Sequence, residues 1–210
     1  QLVSTAASHG YQALALTDEC SVAGVVRAHR HIKQQQLPLQ LIVGAYFQYQ
    51  STLQLVLLCP DRVAYAELCR IITNARSRTV KGQYQLELWD LKSCRHCLVL
   101  WLPCGESTED QHWAEWLSKH FGQRLFLAQR RLLRDDDAAS QLYLQQLAQK
   151  YQLTSCAVGA VLMHDSAQLP LQHVLTAIRL GTTVAKAGLK LEPNAERCLR
   201  PITKLQPLFS

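Results

Sequence analysis

Residues 13–29 constrain the fold of this chain more than any other segment. The first part, 13–17, is rich in apolar side chains and leads directly into Asp18 and Glu19. After a short polar turn, apolar side chains recur at the spacing of an amphipathic helix. A buried strand that feeds a helix is the unit of α/β folds, whose ligand sites lie at the carboxyl ends of the strands. We therefore expect any site to lie near Asp18 and Glu19.

The composition is that of a globular chain. Of its 210 residues, 48% are hydrophobic and 18% are charged, which allows one large domain or two small ones. No apolar run approaches the roughly 20 residues that a membrane span needs, and the start lacks the layout of a signal peptide. We expect a cytoplasmic protein that does not contact a membrane.

The net charge is positive. A formal charge of +6 and a pI near 9.0 favour an anionic partner such as nucleic acid. Basic side chains recur in residues 70–81 and 186–204, which are two candidate phosphate-facing segments. Ordinary solvated surface is an equally good interpretation of both segments.

One cysteine spacing is typical of metal sites. Cys94 and Cys97 form a C-x-x-C step like that of a zinc knuckle, and Cys104 and His112 follow it. A second well-spaced pair is missing, however, and Cys97 begins a strand-like run. We therefore interpret these cysteines as buried, reduced thiols, because a thiol packs as a small hydrophobic group.

Hydrophobic periodicity predicts alternating strands and helices through most of the chain. Strands are predicted at residues 13–17, 39–43, 46–49, 53–59, 97–102, 124–129 and 155–159. Helices are predicted from the start to about residue 9 and at 21–34, 61–75, 109–121, 138–151 and 171–180. Ser21 is the expected N-cap of the second helix. Residues 1–180 are thus predicted to form one α/β domain with barrel-like closure, and 181–210 an irregular, basic connecting segment.

Six segments extend this pattern to a known family. The chain contains, in order, ALALTDECSVAGVVRAH, LIVGAYF, LVLLCPDRVAYAELCRIITNARSR, KGQY, PLQHVLTAIRLGTTVAKAG and NAERCLRP. Together they resemble the PHP (polymerase and histidinol phosphatase) domain of bacterial C-family DNA polymerases, in the error-prone branch. The resemblance implies a distorted seven-stranded β/α barrel whose first strand would precede Gln1. It also implies a magnesium-dependent parent polymerase that binds DNA, works with other mutagenesis proteins and extends damaged or mismatched primers.

The active members of that family hold two or three metal ions with histidines and carboxylates from separate motifs. The opening His-x-His motif would lie before Gln1. In the second motif Asp18 remains, and Glu19 replaces a histidine, as is common in the error-prone branch. The positions where other ligands are replaced are Tyr46, Gln54, Ala160 and Leu162.

The remaining groups are too few for such a cluster. Each divalent ion needs about four or more donor atoms, several of them anionic. The resemblance therefore implies no metal site and no catalytic residue in this segment, with Asp18 and Glu19 as a remnant. Asp18 is interpreted as a helix cap or a strand-end hydrogen-bond acceptor. His164, two positions past the last motif, is interpreted as a loop residue or the start of a helix.

Three functions remain open at this point. The first is a non-catalytic scaffold portion of an error-prone polymerase. The second is a stand-alone, metal-dependent PHP phosphoesterase, against which the lost ligands weigh. The third is a nucleic-acid-binding module without catalysis, which the positive charge favours.

Overall fold

A computed structural model describes residues 1–209 and contains one mainly parallel sheet with helices packed against it. The strands are β1 (Ala13–Leu16), β2 (Gln40–Tyr49), β3 (Leu53–Cys59), β4 (Leu98–Leu102), β5 (Leu125–Gln129) and β6 (Thr154–Ala157). The helices are α1 (Leu2–Ser8), α2 (Ala23–Gln34), α3 (Arg62–Ser77), α4 (Leu88–Lys92), α5 (Ser107–Phe121), α6 (Asp137–Tyr151), α7 (Leu169–Arg179), α8 (Val184–Ala187) and α9 (Ile202–Phe209). No helix within this range is both long and apolar enough to cross a membrane.

The six strands lie side by side in chain order. β3 is antiparallel to both of its neighbours, and the other adjacent pairs are parallel. The sheet curls into a half-barrel with β1 and β6 at its edges. The predicted α/β class is confirmed, but residues 1–209 supply six strands of the expected seven-stranded barrel.

One face of the sheet carries the main core. Phe47 on β2, Leu55 on β3 and Trp101 on β4 share this face, because cross-strand partners point the same way. All three are fully buried, as are Leu68 of α3 and Leu117 of α5. Each such side chain stabilises the fold by roughly 1.5–3 kcal/mol through removal of its apolar surface from water. The buried face therefore holds α3 and α5 against the sheet.

Strand β2 differs from the prediction, which divided it at Gly44. The ladder with β3 runs without interruption from Val43 opposite Cys59 to Tyr49 opposite Leu53. A Cβ at Gly44 would lie 2.6 Å from the carbonyl oxygen of Leu57. The glycine therefore permits a close approach of two strands, and it does not end one.

Two further predictions are wrong. Helix α2 has Val22 at its N-cap, and Ser21 accepts a hydrogen bond from the Ala23 N–H just ahead of the first turn. Residues 181–209 are also more ordered than the broken pattern predicted, since they contain α8 and α9. This segment contacts the loop that follows β5, where the Asn194 side chain donates to the Leu132 carbonyl at 2.8 Å.

Candidate functional site at the carboxyl ends of the strands

Asp18 and Glu19 lie at the carboxyl end of β1, and both are exposed. The backbone continues alongside β2: the Tyr46 N–H donates to the Asp18 carbonyl at 3.1 Å, and the Cys20 N–H donates to the Tyr46 carbonyl at 2.8 Å. This pairing places Glu19 next to Tyr46. Two of the positions that the resemblance singles out are therefore neighbours in space.

The Glu19 carboxylate already has a partner. The Tyr84 hydroxyl donates to it at 3.0 Å, and the Arg76 guanidinium donates to the carbonyl oxygens of Glu19 and Cys20. Burial raises the pKa of Tyr84, and the negative charge of Glu19 raises it further. Tyr84 thus stays a proton donor at neutral pH and keeps Glu19 in place.

Asp18 does not act as a helix cap. Its Oδ2 lies near the first turn of α2, 3.0 Å from the place where a Cβ on Gly24 would stand. The N-cap residue of this helix is Val22, and the Ala23 N–H at its start donates to Ser21, not to Asp18. The carboxylate instead lies in the favourable field of the helix N-terminus while exposed to water.

Three arginines form what we call the arginine cluster: Arg130, Arg134 and Arg197. Loss of hydration lowers the pKa of the Arg130 guanidinium, and repulsion by the other two members lowers it further, although the residue as a whole is exposed. Burial and the charge of Glu19 raise the pKa of Tyr46, while the charges of Arg130 and Arg197 oppose this rise. The tyrosine that stands where the family has a ligand carboxylate is therefore within electrostatic range of two cationic side chains.

Arg197 also reaches the positions of the late motif. Its Nε donates to the Ala160 carbonyl at 2.8 Å, and its own carbonyl accepts from the Leu162 N–H at 2.8 Å. Glu192 accepts hydrogen bonds from both Arg197 and Arg134. The exposed Arg130 side chain, by contrast, donates no hydrogen bond to another residue between 1 and 209.

The residues at this end of the sheet do not fit the metal cluster of the family. Gln54 lies opposite Gln48 on β2 and Leu102 on β4. Its side chain is a neutral amide, where the family has a histidine ligand. Asp18 and Glu19 are the two carboxylates at the end of β1, and the arginine cluster repels a divalent cation nearby. His164 follows β6 and is half-buried. Within residues 1–209, it does not form a group of potential metal ligands with these carboxylates.

A different group of potential ligands lies at the opposite end of the sheet. Glu67 of α3, Cys94 and Cys97 place their donor atoms within 4.8 Å of one another, and all three are buried. The C-x-x-C spacing indicated the two cysteines, but no local pattern indicated Glu67. The downstream residues Cys104 and His112 do not join them: the thiol of Cys104 donates to Asp110, and the His112 ring packs against Trp113.

Comparisons of the sequence with known proteins identify a family. Residues 1–128 match the PHP domain. The whole chain is 54% identical over 209 residues to an error-prone DNA polymerase of Vibrio vulnificus and 41% identical over 210 residues to one of Pseudomonas fluorescens. It spans 20% of the length of these relatives.

A more distant likeness is found among solved structures. One such structure is a crystal structure of a protein from Bifidobacterium adolescentis that is provisionally assigned as a metal-dependent phosphoesterase. The matched region covers 75% of the present chain and 80% of the Bifidobacterium chain. The TM-score is 0.49 at 12% sequence identity, so this likeness does not bear on function. The family match and the full-chain relatives are sufficient for assignment: the chain belongs to the PHP domain family.

Proposed function

We propose that the chain is the PHP portion of an error-prone DNA polymerase and acts there as a scaffold without catalysis of its own. The observation that carries this proposal is the match of the entire chain to one fifth of proteins named error-prone DNA polymerase. Nucleotidyl transfer needs carboxylates that hold two magnesium ions. In this proposal those groups, the magnesium and the DNA contacts belong to a polymerase body outside the present chain.

The remaining parts of the proposal concern the setting of the polymerase. The parent enzyme would extend primers at damaged or mismatched DNA during repair and replication in the cytoplasm, with other mutagenesis proteins as partners. A further strand beside an edge of the half-barrel would complete the seven-stranded barrel. Residues 181–210 would connect the PHP domain, 1–180, to the polymerase body.

An exposed apolar face on α7 supports the scaffold role. Leu171, Val174, Leu175 and Ile178 recur at helical spacing along one side of this helix. They are between 44% and 70% exposed. Contiguous apolar surface of this kind is typical of interaction sites. Because the relatives contain much more chain than this segment, we assign the face to the polymerase body.

The test compares one double variant and one single control variant, in the full-length polymerase and in the present chain. Leu175→Asp with Ile178→Asp should lower the thermal unfolding midpoint and primer extension of the full-length enzyme, because the new charges disrupt the contact. The same changes should leave the midpoint of the present chain unaltered, since both side chains face water. Val26→Asp is the matched control, because Val26 is 74% exposed on α2.

Two results would contradict the proposal. The full-length enzyme would tolerate the α7 variants as well as the control if this face did not contact the polymerase body. Separately, primer extension by the present chain with Mg²⁺ and deoxynucleotides would show that it is catalytic by itself.

The arginine cluster favours a second candidate function, which is binding of a nucleic-acid phosphate. Arg130 is the natural contact, because its guanidinium has no hydrogen-bond acceptor among residues 1–209. We expect the affinity for a single-stranded oligonucleotide to fall steeply with salt, as counterion release requires. Arg130→Ala should reduce that slope by about one unit, whereas Arg179→Ala, an exposed arginine on α7, should not. A salt-independent affinity would rule out this function.

A further inference from the structure

The strongest unassigned feature is the buried group of Glu67, Cys94 and Cys97. It lies where α3 packs against the loop between α4 and β4, at the end of the sheet opposite Asp18 and Glu19. Their relative exposures are 6%, 2% and 0%, so water does not compete for these donor atoms. Two thiols and a carboxylate are a ligand set that zinc accepts.

The separations suit a tetrahedral ion. Zinc–sulfur bonds of about 2.3 Å place two thiolates of one tetrahedron about 3.8 Å apart. The three donor atoms here already lie within 4.8 Å of one another. Small rotations of the side chains are therefore sufficient to close the site, and the C-x-x-C step is the spacing that structural zinc sites commonly use.

Cys59 is the candidate for a fourth donor. It ends β3, and because Leu58 pairs with Leu98 in the antiparallel ladder, Cys59 lies across from Cys97. Its side chain is half-buried, and the Cys97 thiol, which donates to the Ala64 carbonyl at 3.4 Å, would turn toward the ion. Four protein donors would make a closed site of the kind that has a structural role.

Glu67 is held in position by the same loop that carries the cysteines. Its carboxylate accepts from the backbone N–H of Arg95 at 3.0 Å, from the backbone N–H of His96 at 2.9 Å and from the His96 ring at 2.9 Å. Carboxylates that bind metals are commonly oriented by such hydrogen bonds. The carboxylate therefore does not need to be reorganised when an ion enters.

From these observations we propose that Cys59, Glu67, Cys94 and Cys97 bind one Zn²⁺ ion, which joins α3 and β3 to the loop before β4. The site is separate from the degenerate PHP metal site. It has a structural role, and it does not depend on the function of the parent polymerase.

The test uses the full chain, purified with a reductant and stripped of metal by a chelator, and Co²⁺ as the probe. We expect one equivalent of Co²⁺ to give the visible bands of tetrahedral cobalt and a thiolate-to-cobalt charge-transfer band. Zn²⁺ should displace the probe and raise the thermal unfolding midpoint. Cys94→Ala with Cys97→Ala should remove the charge-transfer band.

Further variants keep the test decisive if the double cysteine variant does not fold. Glu67→Gln should weaken Co²⁺ binding at least tenfold, as loss of one ligand does. Asp18→Asn with Glu19→Gln, and separately Cys156→Ala, should leave the affinity unchanged. The proposal is overturned by Co²⁺ spectra without a charge-transfer band, by equal affinity in Glu67→Gln and the unaltered chain, or by a Cys94–Cys97 disulfide in the reduced preparation.

Discussion

Asp90 is a buried carboxylate whose charge is balanced by Arg78. Both terminal nitrogens of Arg78 donate to it, at 2.5 and 2.9 Å, and the Asp90 side chain is 1% exposed. Arg78→Ala would leave this charge buried without its partner, so we expect the free energy of unfolding to fall by about 3 kcal/mol. Urea denaturation measures the loss. Arg70→Ala, an exposed arginine of α3, should change it by less than about 0.5 kcal/mol, and equal losses would contradict the assignment.

Asp90 also makes the free energy of unfolding depend on pH. Burial alone would raise the pKa of Asp90, but hydrogen bonds from Arg78 and the Glu87 N–H outweigh burial and hold it below 3.8. The unfolded chain therefore binds this proton more readily than the folded chain. The stability from Asp90 is complete above about pH 4 and is lost as the pH falls through the folded pKa.

Denaturation midpoints between pH 6 and pH 2 would test this dependence. We expect a plateau down to about pH 5 and a decline below about pH 4. Asp90→Asn should be less stable on the plateau and should decline less steeply, because it has no carboxylate to protonate. Parallel curves for the variant and the unaltered chain would show that Asp90 does not contribute.

At the scale of elements, α3 begins with a side-chain cap. Asp61 has extended backbone and accepts from the Ala64 N–H at 2.8 Å. Asp61→Ala should lower the free energy of unfolding by about 1 kcal/mol in urea denaturation. Thr183 stands at the N-cap of α8 without a capping bond, so Thr183→Ala should cost only a few tenths of that amount. A larger loss in the threonine variant would reverse this ranking.

At the scale of the whole molecule, the ends of the strands determine whether the half-barrel can hydrolyse phosphate esters. Asp18 and Glu19 are too few carboxylates to hold the family's metal cluster, so we expect no hydrolysis of p-nitrophenyl phosphate with added Zn²⁺ or Mn²⁺. Asp18→Asn with Glu19→Gln should match the unaltered chain in this assay. Metal-dependent hydrolysis that the double variant abolishes would support the phosphoesterase alternative.

The sequence by itself determined the elements and the family. Helix α3 and strand β3 were predicted nearly at their observed bounds, since hydrophobic periodicity involves residues close in the chain. Ser21 was misassigned because a capping residue and a residue of the preceding turn look alike in sequence. Gly44 was wrongly predicted to end a strand, because the neighbouring strand that requires a glycine there, β3, is formed by a later segment of the chain.

Only the tertiary structure decided which distant side chains meet. The fold brings Arg130 and Arg197 within electrostatic range of Tyr46, and the packing of α3 brings Glu67 to Cys94 and Cys97. Such contacts join residues far apart in the chain, and they depend on the packing of several elements at once. No local periodicity or spacing records them, which is why sequence patterns predicted the α/β class but not the group of Glu67, Cys94 and Cys97.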